Sequence, residues 1–290
     1  MNTLLITGAT GTIGSELARQ LSARGASFRA LVRTLDARAA QLAALPGAEV
    51  VVGDFRDSSS LHAALEGIEK AFLLTHSSEE AEAHQLAFVR AAKEAGVQHV
   101  VKLSQLAAAA DSPVRFLRYH ARVEEALRDS GMDWTFLRPN LFMQALLGFR
   151  QLIAEKGVFF ATAGDAPVSL IDIRDIAAVA AEALTTSGHE GKTYDLTGPE
   201  PLTHGRLAEI LSEELGKPVH YINVTEDELL PGLLAAGFPE WQAEGLLEDY
   251  AHYARGEASG VSPAVQHVTG VPARTFRAFV AETTTLFSGK

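Results

Sequence analysis

The chain contains no cysteine, which removes disulfides, thiolate nucleophiles and cysteine-ligated metals at the outset. Positive charge is scarce: 25 lysines and arginines face 36 aspartates and glutamates, giving a formal charge of −11. A surface of that sign does not suit a polyanion, so no nucleic-acid partner is expected. No apolar run approaches the ~18–20 residues of a bilayer-spanning helix, so no membrane span is expected either. The first strand begins at residue 2 or 3. That leaves no room for a signal peptide, and the default location is the cytoplasm. The ten histidines are scattered, with no His-x3-His on a plausible helix, and no metal site is expected. A Gly-x-Ser-x-Gly elbow is missing, which leaves a hydrolase unsupported. A Gly-Lys-Ser/Thr sequence is missing too, which excludes a P-loop.

What is present starts at once. The apolar run Thr3-Leu4-Leu5-Ile6 leads into Thr7-Gly8-Ala9-Thr10-Gly11-Thr12-Ile13-Gly14, and residues 15–24 read as a helix. Strand, glycine-rich turn and helix in that order form a phosphate cradle. Glycines let the backbone approach a pyrophosphate, and the unpaired N–H groups and dipole of the helix start favour its charge. Gly8, Thr10, Gly11, Thr12 and Ile13 are therefore candidate cofactor contacts. The spacing is G-x-x-G-x-x-G, a departure from the common G-x-G-x-x-G, and its weight comes from the strand before it and the helix after it. The second strand, 28–32, ends at Arg33, and no carboxylate follows until Asp36. An acidic residue at that place bonds the ribose of NAD, whereas an arginine suits the 2′-phosphate of NADP. NADP(H) is thus preferred over NAD(H).

The pattern then alternates. Strands are expected at 4–7, 28–32, 49–52, 70–74, 99–103 and 134–137, with helices at 14–24, 38–45, 60–65, 80–95 and 114–130 between them. Alternation of this kind implies βαβ units and an α/β fold with a doubly wound parallel sheet. The rhythm breaks after about residue 145. Strands at 168–171, 193–196 and 220–224 and helices at 172–184, 207–215, 227–235, 239–256 and 272–286 are expected there. We read 1–145 as the dinucleotide-binding domain, with 168–197 returning to its sheet, and 146–290 mainly as a substrate-binding annex.

Ligands of such sheets lie at the carboxyl ends of the strands. Those ends carry Asp54 and Phe55, suited to adenine; Leu74, Thr75 and His76, with Thr75 along the nicotinamide ribose; Ser104; and Pro139, Asn140, Phe142 and Met143. Asn140, Phe142 and Met143 are candidates to face the acceptor. His120 shares a helix face with Phe116, Val123 and Leu127. It reads as a packed or cofactor-contacting residue before it reads as an acid–base group. Glu124, one turn on, either orients His120 or pairs with Arg128. Trp241, Tyr250 and Tyr253 offer an aromatic wall, but their helical spacing favours core packing.

These residues, taken with several longer runs, resemble one family. The runs are His120-Ala-Arg-Val-Glu124-Glu-Ala-Leu127, Ser130-Gly131-Met-Asp-Trp-Thr135-Phe-Leu-Arg138-Pro139-Asn140, Asp172-Ile-Arg-Asp175-Ile-Ala, the stretch 191–203, and Leu215-Gly216-Lys-Pro-Val-His-Tyr. Over nearly its whole length the chain resembles the NmrA-like, atypical short-chain dehydrogenase/reductase family. It looks nearest to the NAD(P)H:quinone oxidoreductase and triphenylmethane or azo dye reductase members. The resemblance implies a Rossmann-like fold with a smaller, mostly helical C-terminal annex, and an NADPH-dependent reductase of a small conjugated acceptor such as a quinone or dye. The wider superfamily uses Tyr-x-x-x-Lys after the fifth strand. Here Tyr119 is followed four residues on by Val123, and the matching register puts Phe116 and His120 at the tyrosine and lysine positions. Ser104 keeps the serine place, so Ser104 and His120 are the catalytic candidates, and His120 is implied to contact the nicotinamide ribose. The missing pair keeps an alternative open, a non-catalytic NADP(H)-binding redox sensor. A homodimer is also left open.

Overall fold

The computed structural model describes residues 3–287, so position 2, named above as an alternative strand start, lies outside the described residues. Seven strands form the main sheet: β1 (Leu4–Ile6), β2 (Phe28–Val32), β3 (Ala48–Val52), β4 (Lys70–Leu73), β5 (His99–Leu103), β6 (Asp133–Pro139) and, after β7 (Val158–Ala161), β8 (Lys192–Leu196). Their order is β3-β2-β1-β4-β5-β6-β8. The register is parallel from β3 through β6, as crossover helices require. β7 pairs in parallel with β9 (His220–Asn223) in a separate two-stranded sheet. The helices are α1 (Thr12–Ala23), α2 (Ala37–Ala43), α3 (Ser58–Leu65), α4 (Ala81–Glu94), α5 (Arg115–Asp129), α6 (Arg150–Lys156), α7 (Ile173–Thr185), α8 (His204–Leu215), α9 (Glu226–Ala235), α10 (Glu240–Ala254), α11 (Ala264–Thr269) and α12 (Phe276–Thr283). Among the described residues no helix is long and apolar enough to cross a membrane.

The chain divides into two compact units. The first comprises Met1–Ser112, Leu117–Arg138 and Ile176–Tyr194. Its core joins Leu5 and Leu31 of the sheet to Leu61, Phe88, Val123 and Leu127 of the covering helices. All five residues of β5 are buried, as expected of a parallel strand covered on both faces, yet two of them are His99 and Lys102. The second unit comprises Pro113–Phe116, Pro139–Asp175 and Asp195–Lys290. Ile153, Phe159, Leu207, Leu211, Phe276, Phe279 and Val280 centre its core.

The structure differs from the sequence reading in three ways. Residues 168–171 are extended but form no strand. Val168 exchanges both backbone bonds with Leu202, Ser169 N–H donates to Ala258, and Ile171 N–H donates to Leu141. The bonds go to three different segments, so no ladder builds. A 3-10 helix at Met143–Phe149, α6, β7 and α11 stand where no element was expected. The last helix starts at Phe276 rather than at 272, because the Thr275 hydroxyl accepts from Ala278 N–H and sets the cap there.

Candidate cofactor and catalytic site

β1 and β4 are neighbours although β2 and β3 lie between them in sequence, so the strand order reverses at this pair. A crevice opens at the carboxyl ends of such a pair. Thr7 fastens the two ends. Its hydroxyl accepts from Leu74 N–H and donates to Leu74 O, both at 2.8 Å. Gly8 takes φ +62°, and a Cβ there would lie 2.9 Å from both Leu74 Cγ and Leu74 O. At Gly14 an added Cβ would collide with the carbonyl oxygen of Gly8, so α1 can seat on the turn only as glycine. Gly11 N–H donates to Gly8 O at 2.9 Å, and Gly11 caps α1 without any side-chain bond. No carboxylate occupies the first turn of α1, and Gly11 and Thr12 are exposed. The helix start is thus a stripped donor surface suited to a phosphate.

Arg33 and Asp36 follow β2. Asp36 accepts from Arg38 and Ala39 N–H, capping α2, and pairs with the Arg38 guanidinium at 2.9 Å. Arg33 is exposed and makes no hydrogen bond or ion pair among the described residues. The carboxylate that would choose NAD is already engaged, and the guanidinium that would choose NADP is not. Beyond β3, Asp54 accepts from Arg56 N–H at 2.9 Å, and Phe55 packs 5.9 Å from the Phe88 ring. Beyond β4, Thr75 accepts from Gln85 Nε2 at 2.8 Å, and His76 is exposed. Gln85 Oε1 and Ser77 Oγ are buried without a partner. Buried polar atoms are normally paired; Ser77 follows β4 at the switch point and Gln85, on α4, reaches that strand end through Thr75, where a dinucleotide would satisfy them. The glycine cradle and these atoms fit a bound dinucleotide.

The polar centre of the first unit is built on β5, α5 and β6. Ser104 donates to Glu124 Oε1 at 2.6 Å. Glu124 is 1% exposed and also receives Arg138 through two bonds, at 2.9 and 2.6 Å, and Arg128 at 3.0 Å. Burial alone would raise the Glu124 pKa. The bonds from Arg138 and Ser104, with the charges of Arg138 and Lys102, outweigh burial and hold it below the usual carboxylate value. Glu124 therefore clamps Ser104 and Arg138, and it does pair with Arg128. His120 has a different partner. Lys102 Nζ, wholly buried, lies 2.8 Å from His120 Nδ1 and donates to Leu103 O at 3.2 Å. Burial pushes the Lys102 pKa down to about 7, and burial followed by the Lys102 and Arg138 charges drives His120 well below its ordinary value. Lys102 was missed in the sequence, although a lysine inside the apolar run His99-Val100-Val101-Lys102-Leu103 is a visible anomaly.

Pro139, Asn140, Phe142 and Met143 belong to the second unit. Asn140 is buried, and its amide donates to Ser169 Oγ at 3.0 Å and Ala258 O at 2.8 Å. Pro139 and Met143 are buried, and Phe142 is half-buried. Tyr253 packs in the core of that unit, and the Trp241 ring lies 5.4 Å from Phe116. Tyr250 borders a small cavity with Phe149, Phe159, Phe160 and His204. Among the described residues no cluster of histidine or carboxylate groups could hold a metal.

The sequence profile of the NmrA-like family matches residues 1–273. The chain is 42% identical over 276 residues to NAD(P)H azoreductase of Xenophilus azovorans, covering 95% of this chain and 96% of that protein. It is 40% identical over 281 residues to (4-alkanoyl-5-oxo-2,5-dihydrofuran-3-yl)methyl phosphate reductase of Streptomyces griseus, covering 96% and 97%. The crystal structure of NADPH-dependent quinone oxidoreductase QOR2 of Escherichia coli, complexed with NADPH, superposes with a TM-score of 0.86 at 32% identity, covering 97% of this chain and 98% of that one.

Proposed function

The chain belongs to the NmrA-like family, and from that premise we propose that it is an NADPH-dependent oxidoreductase reducing a small conjugated acceptor such as a quinone or a dye. The carrying observation is the phosphate cradle paired with an unengaged Arg33 and an engaged Asp36. Gly8, Thr10, Gly11, Thr12 and Ile13 would hold the pyrophosphate and Arg33 the 2′-phosphate. Asp54 and Phe55 would flank the adenine, with Leu74, Thr75, His76, Pro139 and Asn140 along the rest of the cofactor. When bound, NADPH supplies a hydride. Ser104 and His120 are the polar groups offered to the nicotinamide ribose and acceptor, and Phe142 and Met143 are proposed for the acceptor side. Quinones and azo compounds are electrophilic enough that holding the ring in place does most of the work.

The test is NADPH oxidation by the purified chain against quinones, azo dyes, triphenylmethane dyes and conjugated butenolides, run beside NADH. Turnover of at least one acceptor, faster with NADPH, is expected. Tight NADPH binding with no acceptor turned over would instead favour the dinucleotide sensor.

A further inference from the structure

Resting on that reductase reading, we propose that Lys102 is the positioning and proton-supplying partner of His120, so that the pair delivers a proton to the reduced acceptor through one imidazole ring. The 2.8 Å contact joins Lys102 Nζ to His120 Nδ1. A lysine ammonium has donors only, so Nδ1 must accept, and the ring's single proton sits on Nε2. Nε2 makes no protein hydrogen bond among the described residues and is not among the buried unpartnered atoms. The ring is thus held by one nitrogen and open at the other.

This arrangement answers a difficulty of charge. Burial, and after it the charges of Lys102 and Arg138, disfavours an imidazolium, so His120 cannot store the proton itself. Neutral imidazole is a poor acid unless its second nitrogen gains a proton as the first loses one. Here that can happen. The Nε2–H bond breaks toward the acceptor atom left basic by hydride from NADPH. At the same time an Nζ–H bond of Lys102 breaks and an Nδ1–H bond forms. Lys102 ends as a neutral amine and accepts from Nδ1–H, so the same contact serves before and after. A solvent proton entering at Nε2, with return of the Nδ1 proton to Lys102, resets the pair. The charged and titratable groups around it are Glu124 and Tyr119 on α5, Arg138 on β6, and Arg128 through Glu124. Glu124 is held by Arg138, Arg128 and Ser104, and the donor beside Nδ1 is Lys102. Its depressed pKa leaves both protonation states accessible near neutrality.

Acceptor chemistry gives a sharp test. A quinone or azo group needs a proton after hydride addition, whereas a triphenylmethane cation becomes neutral on taking hydride alone. Single-turnover rates are compared for wild type, Lys102→Met and Lys102→Arg, with folding checked by circular dichroism and NADPH binding by fluorescence. Arginine keeps a donor but does not release its proton. Both variants should lose about a hundredfold more rate with the azo acceptor than with the dye cation, the scale of a general acid. The pH profile of the azo reaction should lose its limb near 7. Equal losses on both acceptors, or an unchanged profile, would overturn the relay. Nitrogen NMR of His120 in the cofactor-free protein is independent of turnover. Wild type should show the Nε2–H tautomer giving way to Nδ1–H as Lys102 deprotonates, and Lys102→Met should lose that transition. A tautomer indifferent to Lys102 would overturn the proposal even if the protein reduces every acceptor. Absence of turnover beside the expected tautomer change would count against the reductase reading instead.

Discussion

Ser104 commits its only hydroxyl proton to Glu124, 2.6 Å away, and so can offer a ligand lone pairs but not a proton. It suits an amide or ribose hydroxyl that donates, rather than an acceptor that must be protonated. Ser104→Ala should therefore reduce the chemical step by about tenfold or less, below the hundredfold or more lost with a general acid. A steady-state comparison of kcat checks this, and a loss of a thousandfold would show Ser104 to be the acid. Lys102 makes a prediction about stability. Its folded pKa of about 7 lies below the ordinary lysine value of 10.5, so between these limits the unfolded chain binds the extra proton. Stability then rises with pH across that window, and below pH 7 the burial penalty is complete. The interval corresponds to about 5 kcal/mol as an upper scale, offset by the bonds to His120 and Leu103. Lys102→Met should be most favourable at and below pH 7, and its advantage over wild type should shrink by about 3 kcal/mol between pH 7 and pH 9.5. Urea unfolding at the two pH values measures it, and a gap independent of pH would contradict it.

At the scale of elements, the turn between β1 and α1 depends on glycine for two separate reasons: Gly8 for its left-handed backbone, and Gly14 for the close seat of the helix on Gly8. Gly14→Ala should push α1 off the turn, destabilise the fold by about 2–3 kcal/mol, as overpacking does, and weaken NADPH binding at least tenfold. Gly11→Ala meets only Gly8 O, at 3.2 Å, and should fold near normally. Thermal melts with a cofactor titration separate the two. The same element shows why parts of the molecule were legible in the sequence. Glycine spacing, apolar strands and helix caps are local, and they gave β1 to β6 and α1 to α5 within a few residues. The Ser104–Glu124–Arg138 clamp was not local: it joins residues 20 and 14 positions apart across β5, α5 and β6. Residues 168–171 looked like a strand because extended, apolar backbone carries the same pattern whether it pairs with one neighbour or three. The partner of His120 was sought one turn along its helix, at Glu124. It stood on the adjacent strand, where periodicity along a helix carries no information.

For the whole molecule, cofactor choice should appear in global stability, because a ligand that binds only the folded state stabilises it by mass action. At one hundred times its Kd, NADPH should add about 2.7 kcal/mol. NADH lacks the 2′-phosphate. A charge-assisted bond to Arg33 is worth about 1.5–3 kcal/mol, a ten- to hundredfold difference in affinity. At equal concentration, then, NADPH should raise the melting temperature clearly more than NADH. Arg33→Ala should bring the NADPH shift down to the NADH shift and leave the latter nearly unchanged. Asp36→Ala leaves Arg33 in place but removes the α2 cap, so it should lower the unliganded melting temperature while keeping the NADPH preference. Scanning calorimetry of the three proteins with each cofactor distinguishes these effects, and none of the measurements depends on knowing the acceptor. Equal shifts from both cofactors in the wild-type chain would remove Arg33 from its assigned role. A preference surviving Arg33→Ala would place the 2′-phosphate elsewhere on the turn after β2.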